Sequence, residues 1–262
     1  MPVVHEAPYP DGPTATEYFL PQPEIPDDVR AGLSPWMLYI VTSVKPVALR
    51  TINERLSRIE HPDLQPLCEQ LRSYTPVSVI FCEDKQSWLR LDSNHTSNKV
   101  GTSAYLPPQP DENLIQARLD SAGFSSKSLF LAFAMNFCGL AEDFLVSGRF
   151  VAADDDWMLL TEDWQEEIID NYDDWKNSLA IYSARNGDQL LLHPDGHVGW
   201  WKYAEGYVER EFESLSKFME FYVQFRADVA WPLDSYGAPD YVRNEAKQQK
   251  SRNKSDRPLD ET

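Results

Sequence analysis

Gly187-Asp188-Gln189-Leu190-Leu191-Leu192-His193-Pro194-Asp195-Gly196-His197-Val198-Gly199-Trp200-Trp201 is the stretch whose reading decides the fold. Pro194-Asp195-Gly196 is a strong turn signal between two apolar runs, so it predicts a β-hairpin. The strands are expected over Gln189–His193 and His197–Tyr203, with a third over Leu179–Ala184 just before them. Strands joined this tightly must pair antiparallel. Outward from the hairpin the period changes. Leu215, Phe218, Met219, Tyr222 and Phe225 fall on one stripe of a closing helix. Upstream, Ser125 or Ser126 caps a helix, Leu129 to Phe137, that is apolar almost all round and stops at Gly139. Before it, Asp111 caps a helix carrying Leu114, Ile115 and Leu119 on one face, with Gly123 as its stop.

The first hundred residues read differently. Eight of the 19 prolines lie in residues 1–35, which predicts an extended arm unable to propagate helix or sheet hydrogen bonds. Residues 36–104 then read as a small α+β region: a strand over Trp36–Val44, a helix over Pro46–Ile59 and a short helix over Pro62–Leu71. Strands at Val77–Phe81 and Trp88–Leu91 complete it. Polar residues from Asp92 to Thr102, followed by Pro107, Pro108 and Pro110, mark a boundary. Residues 237–262 form a polar tail with a basic run, expected to be disordered. The fold class is therefore α+β: a mainly antiparallel sheet flanked by helices, with an additional N-terminal α+β segment.

With 262 residues and 42% hydrophobic content, the chain can bury a substantial core. Its net charge of −18 argues against nucleic acid and anionic membranes and favours a basic partner. Three cysteines without CxxC spacing read as reduced thiols, and no segment near Met1 has the basic start and apolar run of a signal peptide. A cytoplasmic location is the expectation.

The acidity is concentrated. Residues 140–220 carry 19 acidic and 6 basic side chains. Ten of the acids fall in Asp154–Asp174 with no Lys or Arg among them, interleaved with Trp157, Trp164 and Tyr172. Interfaces use Trp and Tyr as anchors and surrounding charge to steer encounter. The opposing reading is an amphipathic segment with its aromatics inward and its acids in water. The residues expected to bind a partner are Asp154, Asp155, Asp156, Trp157, Trp164, Glu166, Glu167, Asp188, Trp200 and Trp201.

Catalytic chemistry is not concentrated anywhere. Asp154-Asp155-Asp156 lacks EF-hand spacing, and His193 with His197 has no third ligand at diagnostic spacing. No nucleophile elbow, Walker loop, dinucleotide fingerprint or zinc-protease helix occurs. No catalytic residue, cofactor or metal is expected. An enzyme using the carboxylates or the two histidines is the remaining alternative.

The order of these elements resembles the SUKH superfamily, the fold of fungal cell-wall assembly regulators and of bacterial toxin-immunity proteins. The likeness is carried by Leu106-Pro107-Pro108 before a capped helix and by the helix running into Asn136-Phe137-Cys138-Gly139. Gly187-Asp188 before a strand, the Asp195-Gly196 turn, Val198-Gly199-Trp200-Trp201, and Ser214-Leu215 opening the last helix complete it. It spans Tyr105 to Phe225, within a binding domain expected over 105–228; residues 1–104 have no counterpart. The resemblance implies a non-enzymatic domain that binds proteins through one face and a cleft. In immunity members the partner is a toxin domain, often a cationic nuclease. A housekeeping regulator of the same fold is the other role it allows.

Overall fold

The computed structural model describes residues 2–6, 14–93, 103–121, 123–124, 128–143, 149–150, 172–175, 177–184 and 187–229. Its strands are β1 (Val3–Glu6), β2 (Thr14–Phe19), β3 (Tyr74–Cys82), β4 (Ser87–Ser93), β5 (Ser103–Leu106) and β6 (Ala141–Asp143). They continue as β7 (Arg149–Phe150), β8 (Leu179–Ser183), β9 (Gln189–Leu192), β10 (Val198–Lys202) and β11 (Tyr207–Phe212). Spatial order follows chain order from β1 to β11, and every neighbouring pair is antiparallel. The joint between β6 and β7 is the narrowest, a single pair, Ala141 with Arg149.

Helices enter as excursions from this meander. Between β2 and β3 come α1 (Asp27–Gly32), α2 (Pro35–Thr42), α3 (Lys45–Ser57), a 3-10 turn (Pro62–Leu64) and α4 (Gln65–Arg72). Between β5 and β6 come α5 (Glu112–Ser121) and α6 (Ser128–Phe137); α7 (Tyr172–Trp175) precedes β8, and α8 (Leu215–Val229) follows β11. The caps that fall among the described residues behave as the sequence suggests, while Ser125 and Ser126 lie outside them. Asp111 accepts the Asn113 amide at 2.8 Å, and Gly123 and Gly139 take left-handed φ values after α5 and α6.

The expected strand over Trp36–Val44 is instead a helix. Ser34 accepts the Met37 amide at 3.2 Å and Pro35 occupies the first turn, where its missing N–H costs nothing. Met37, Ile40 and Val41 then bury at helical spacing, so capping chemistry outweighs the β-branched composition. The proline-rich stretch 1–35 is likewise not an arm throughout. Residues Ala15–Phe19 of β2 pair with Ser78–Cys82 of β3, and Val29 of α1 is buried. Pro21, Pro23 and Pro26 sit between β2 and α1, where no ladder hydrogen bond is asked of them.

One core runs through both halves of the chain. Met37, Ile52, Leu56, Leu67 and Leu71 from the N-terminal helices pack in the same cluster as Leu89, Leu106, Phe133, Phe150, Leu190, Trp200 and Tyr222. At its centre Phe150 meets Phe133, Tyr182 and Tyr222 edge-on at 4.6, 5.1 and 5.5 Å. The boundary expected at 104/105 falls inside β5, which is bonded to β4 on one side and β6 on the other. Arg55 of α3 reinforces that joint, donating to the Pro107 carbonyl at 2.9 Å and to the Asn136 carbonyl, in the last turn of α6, at 3.1 Å. The tail 237–262 lies outside the described residues.

Candidate protein-binding surface

The hairpin that the sequence singles out forms with its turn where expected. β9 and β10 pair from Val198↔Leu192 to Trp201↔Gln189. Its entry is a positional device. Gly187 has φ +89°, and an added Cβ would lie 2.9 Å from the Tyr203 ring, so glycine serves both backbone and packing there. Asp188, which follows, accepts the Tyr203 amide at 2.9 Å and pairs with Lys202 at 3.3 Å. The start of β9 is thereby pinned to the end of β10.

Three expected binding residues are corrected by this geometry. Asp188 is 1% exposed, and its charge is spent on Lys202 and the β10 terminus. Trp200 at 2% and Trp201 at 0% are core residues, pointing to opposite faces of the sheet as strand alternation requires. Trp200 joins the main core. Trp201 joins a smaller cluster with Trp175, Ala180 and Leu191, where the Trp175 indole lies over Gly199. None of the three is available to a partner. Asp154, Asp155, Asp156, Trp157, Trp164, Glu166 and Glu167 lie outside the described residues, so the main acidic stretch has no geometry to report. At its C-terminal end, Asp174 is exposed and Trp175 buried.

At the turn, Asp195 sits between two imidazoles, its Oδ1 2.7 Å from His193 Nδ1 and 3.0 Å from His197 Nδ1. It also accepts the His197 amide at 2.9 Å. The slight burial that would raise the Asp195 carboxyl is outweighed by that amide and both histidine side chains, which hold it well below the usual range. One carboxylate here ties both sides of a five-residue turn. Among the described residues no group of three His, Cys, Asp or Glu is placed to hold a metal ion.

The exposed acidic and aromatic groups converge instead on the next hairpin. Along Tyr203, Glu205, Tyr207, Glu209, Glu211 and Glu213 every side chain is exposed, with Tyr203 at 51% and Tyr207 at 39%. β11 closes the strand order, so one of its edges has no neighbour among the described strands. Trp200 pairs with Arg210 and Trp201 with Val208, which leaves Glu209 as the extra residue of a β-bulge. Opposite in sign, Arg210 is turned back onto the Phe212 and Phe221 rings at 4.8 and 4.3 Å. What remains outward is tyrosine and glutamate.

Sequence reading missed this strand. Its signal was the alternation Tyr207, Glu209, Glu211 after the Gly206 turn, which the density of acids nearby obscured.

Compared with protein-family models, with curated proteins and with solved structures, the chain shows no match.

Among the described residues no helix is long and apolar enough to cross a membrane.

Proposed function

We propose that the chain is a non-enzymatic protein-binding module whose described contact surface is the β11 edge, and whose partner presents a basic, extended segment. The observation that carries this reading is an edge strand whose Tyr207, Glu209 and Glu211 are all exposed, continued by exposed Tyr203, Glu205 and Glu213. Tyr207 lies on the Lys202 face and Glu211 on the Gly199 face, either side of the bulge. An open edge offers backbone donors and acceptors to an added strand, and alternate side chains set which strand is accepted. Four carboxylates along it disfavour a second copy of the same edge and favour lysine or arginine. The tyrosines supply amphipathic contact area at low entropic cost.

The net charge of −18 supports the same partner class, and the acids of Asp154–Asp174 would add long-range steering. The SUKH-like order of elements, with a capped helix after Pro107-Pro108, the Gly187-Asp188 hairpin and a closing helix, makes an immunity protein facing a cationic toxin domain the leading biological role. A cytoplasmic location belongs to that proposal. A regulator of the same fold is the second reading, and linkage of the gene to a toxin gene would separate the two.

The test is affinity capture from the native cell followed by zero-length carboxyl–amine cross-linking. A basic partner cross-linked at Glu205, Glu209, Glu211 or Glu213 supports the proposal. A partner joined only at other surfaces overturns the assignment of the edge.

A further inference from the structure

The cavity beside α2 and α3 carries an inference independent of the β11 edge. Arg55 is 7% exposed, yet no carboxylate pairs with it among the described residues. Its two terminal nitrogens go to carbonyls and its face stacks on Trp36 at 4.5 Å, while Nε is buried with no hydrogen-bond partner. A guanidinium in this position retains an unanswered positive charge, and burial pushes its pKa down to about 10.

Around it lies a cavity of about 650 Å³, within the range of small-ligand sites. Arg58, one turn after Arg55, lines the same space, is exposed, and has no ion pair among the described residues. So does the N-terminus of the eight-residue α2. There Ser34 takes the Met37 amide and Pro35 has none, which leaves the Trp36 amide as a donor without an intrahelical acceptor. Trp36 and Met135 give the wall an apolar character.

Two acids, Glu54 and Glu112, also line the cavity, and Glu54 is only loosely held by Arg50 at 3.9 Å. Two guanidiniums against two carboxylates favour a monoanion over a dianion.

We propose that this cavity binds a monocarboxylate with an apolar body: the carboxylate held by Arg58 and the Trp36 amide above the buried charge of Arg55, the body against Trp36 and Met135.

The probes are benzoate, acetate and inorganic phosphate, titrated into the full chain while the Arg55 Nε–H and Trp36 indole N–H resonances are followed by NMR. Arg55→Lys and Trp36→Phe serve to assign the two signals. Benzoate is expected to shift both saturably and to bind roughly tenfold more tightly than acetate. Arg58→Gln, at an exposed position, is expected to weaken benzoate about tenfold, the worth of one charge-assisted contact. An absence of saturation at either resonance, equal affinity in Arg58→Gln, or tighter binding of phosphate than benzoate would each overturn the proposal.

Discussion

Replacing Arg55 separates two costs that oppose each other at the joint between the N-terminal helices and α6. In Arg55→Met the Pro107 and Asn136 carbonyls lose donors at 2.9 and 3.1 Å. Each buried carbonyl left bare costs about 1–3 kcal/mol. Against this, a charge no longer has to be buried. The fall of the guanidinium from its usual 12.5 to about 10 corresponds to roughly 3 kcal/mol of desolvation. Two bare carbonyls cost about 2–6 kcal/mol together, so the net expectation runs from a gain of about 1 to a loss of about 3 kcal/mol. Arg55→Lys keeps a buried charge but cannot span both carbonyls with one ammonium, and it gives up the planar stack on Trp36. Its expected loss is about 2–4 kcal/mol, so the chemically conservative change is the more damaging one. Urea unfolding reads both. With a slope near 3 kcal/mol per molar for a chain of this size, the midpoint falls by at most about 1 M in Met and further in Lys. Both variants are expected to unfold in one transition, because the shared core still binds the two halves together. A Met variant less stable than the Lys variant, or a Lys variant within about 0.5 kcal/mol of the native chain, would refute the reasoning.

Gly199→Ala places a Cβ 2.7 Å from the Trp175 indole, an overpacking that costs about 1–3 kcal/mol and should alter tryptophan fluorescence without changing far-UV dichroism. Gly187→Ala adds left-handed strain to contact with Tyr203, and is expected to lower the thermal midpoint at least as much. Burial pushes the thiols of Cys68 and Cys82 up to about 11 and about 12, so neither should react with a thiol reagent at pH 8 until the chain unfolds. Both thiols favour the folded state fully below the pKa of a free cysteine. That contribution is lost as pH rises from there through the raised folded values, so a urea midpoint that falls between pH 8 and pH 11 is expected.

Elements with local punctuation were legible from sequence: the Asp195-Gly196 hairpin, the Asp111 cap, and the apolar helix ending at Gly139. Misreadings arose where two local signals competed. Trp36–Val44 has strand composition, and the Ser34-Pro35 start decided it as helix. In 1–35 the prolines concealed β2, whose Ala15 and Tyr18 are buried by partners more than fifty residues away in β3. The binding residues failed for a related reason. Trp200 and Trp201 look like exposed anchors beside so many acids, but adjacent residues on a strand point to opposite faces, and this sheet is packed on both. Asp188 is acidic only in composition; Lys202, fourteen residues on, consumes it. Exposure depends on the sheet that assembles around a residue, and neither charge nor aromaticity encodes that.

The β11 edge is tested most directly by association kinetics with the captured partner. Glu205, Glu209, Glu211 and Glu213 are changed together to Gln, and Asp154, Asp155, Asp156, Glu166 and Glu167 are neutralised in a second variant. The edge variant is expected to associate roughly tenfold more slowly at low salt and to lose most of its salt dependence. The second variant is expected to slow association without abolishing the complex. Unchanged rates and an unchanged salt slope in the edge variant would contradict the assignment of this strand as the binding surface.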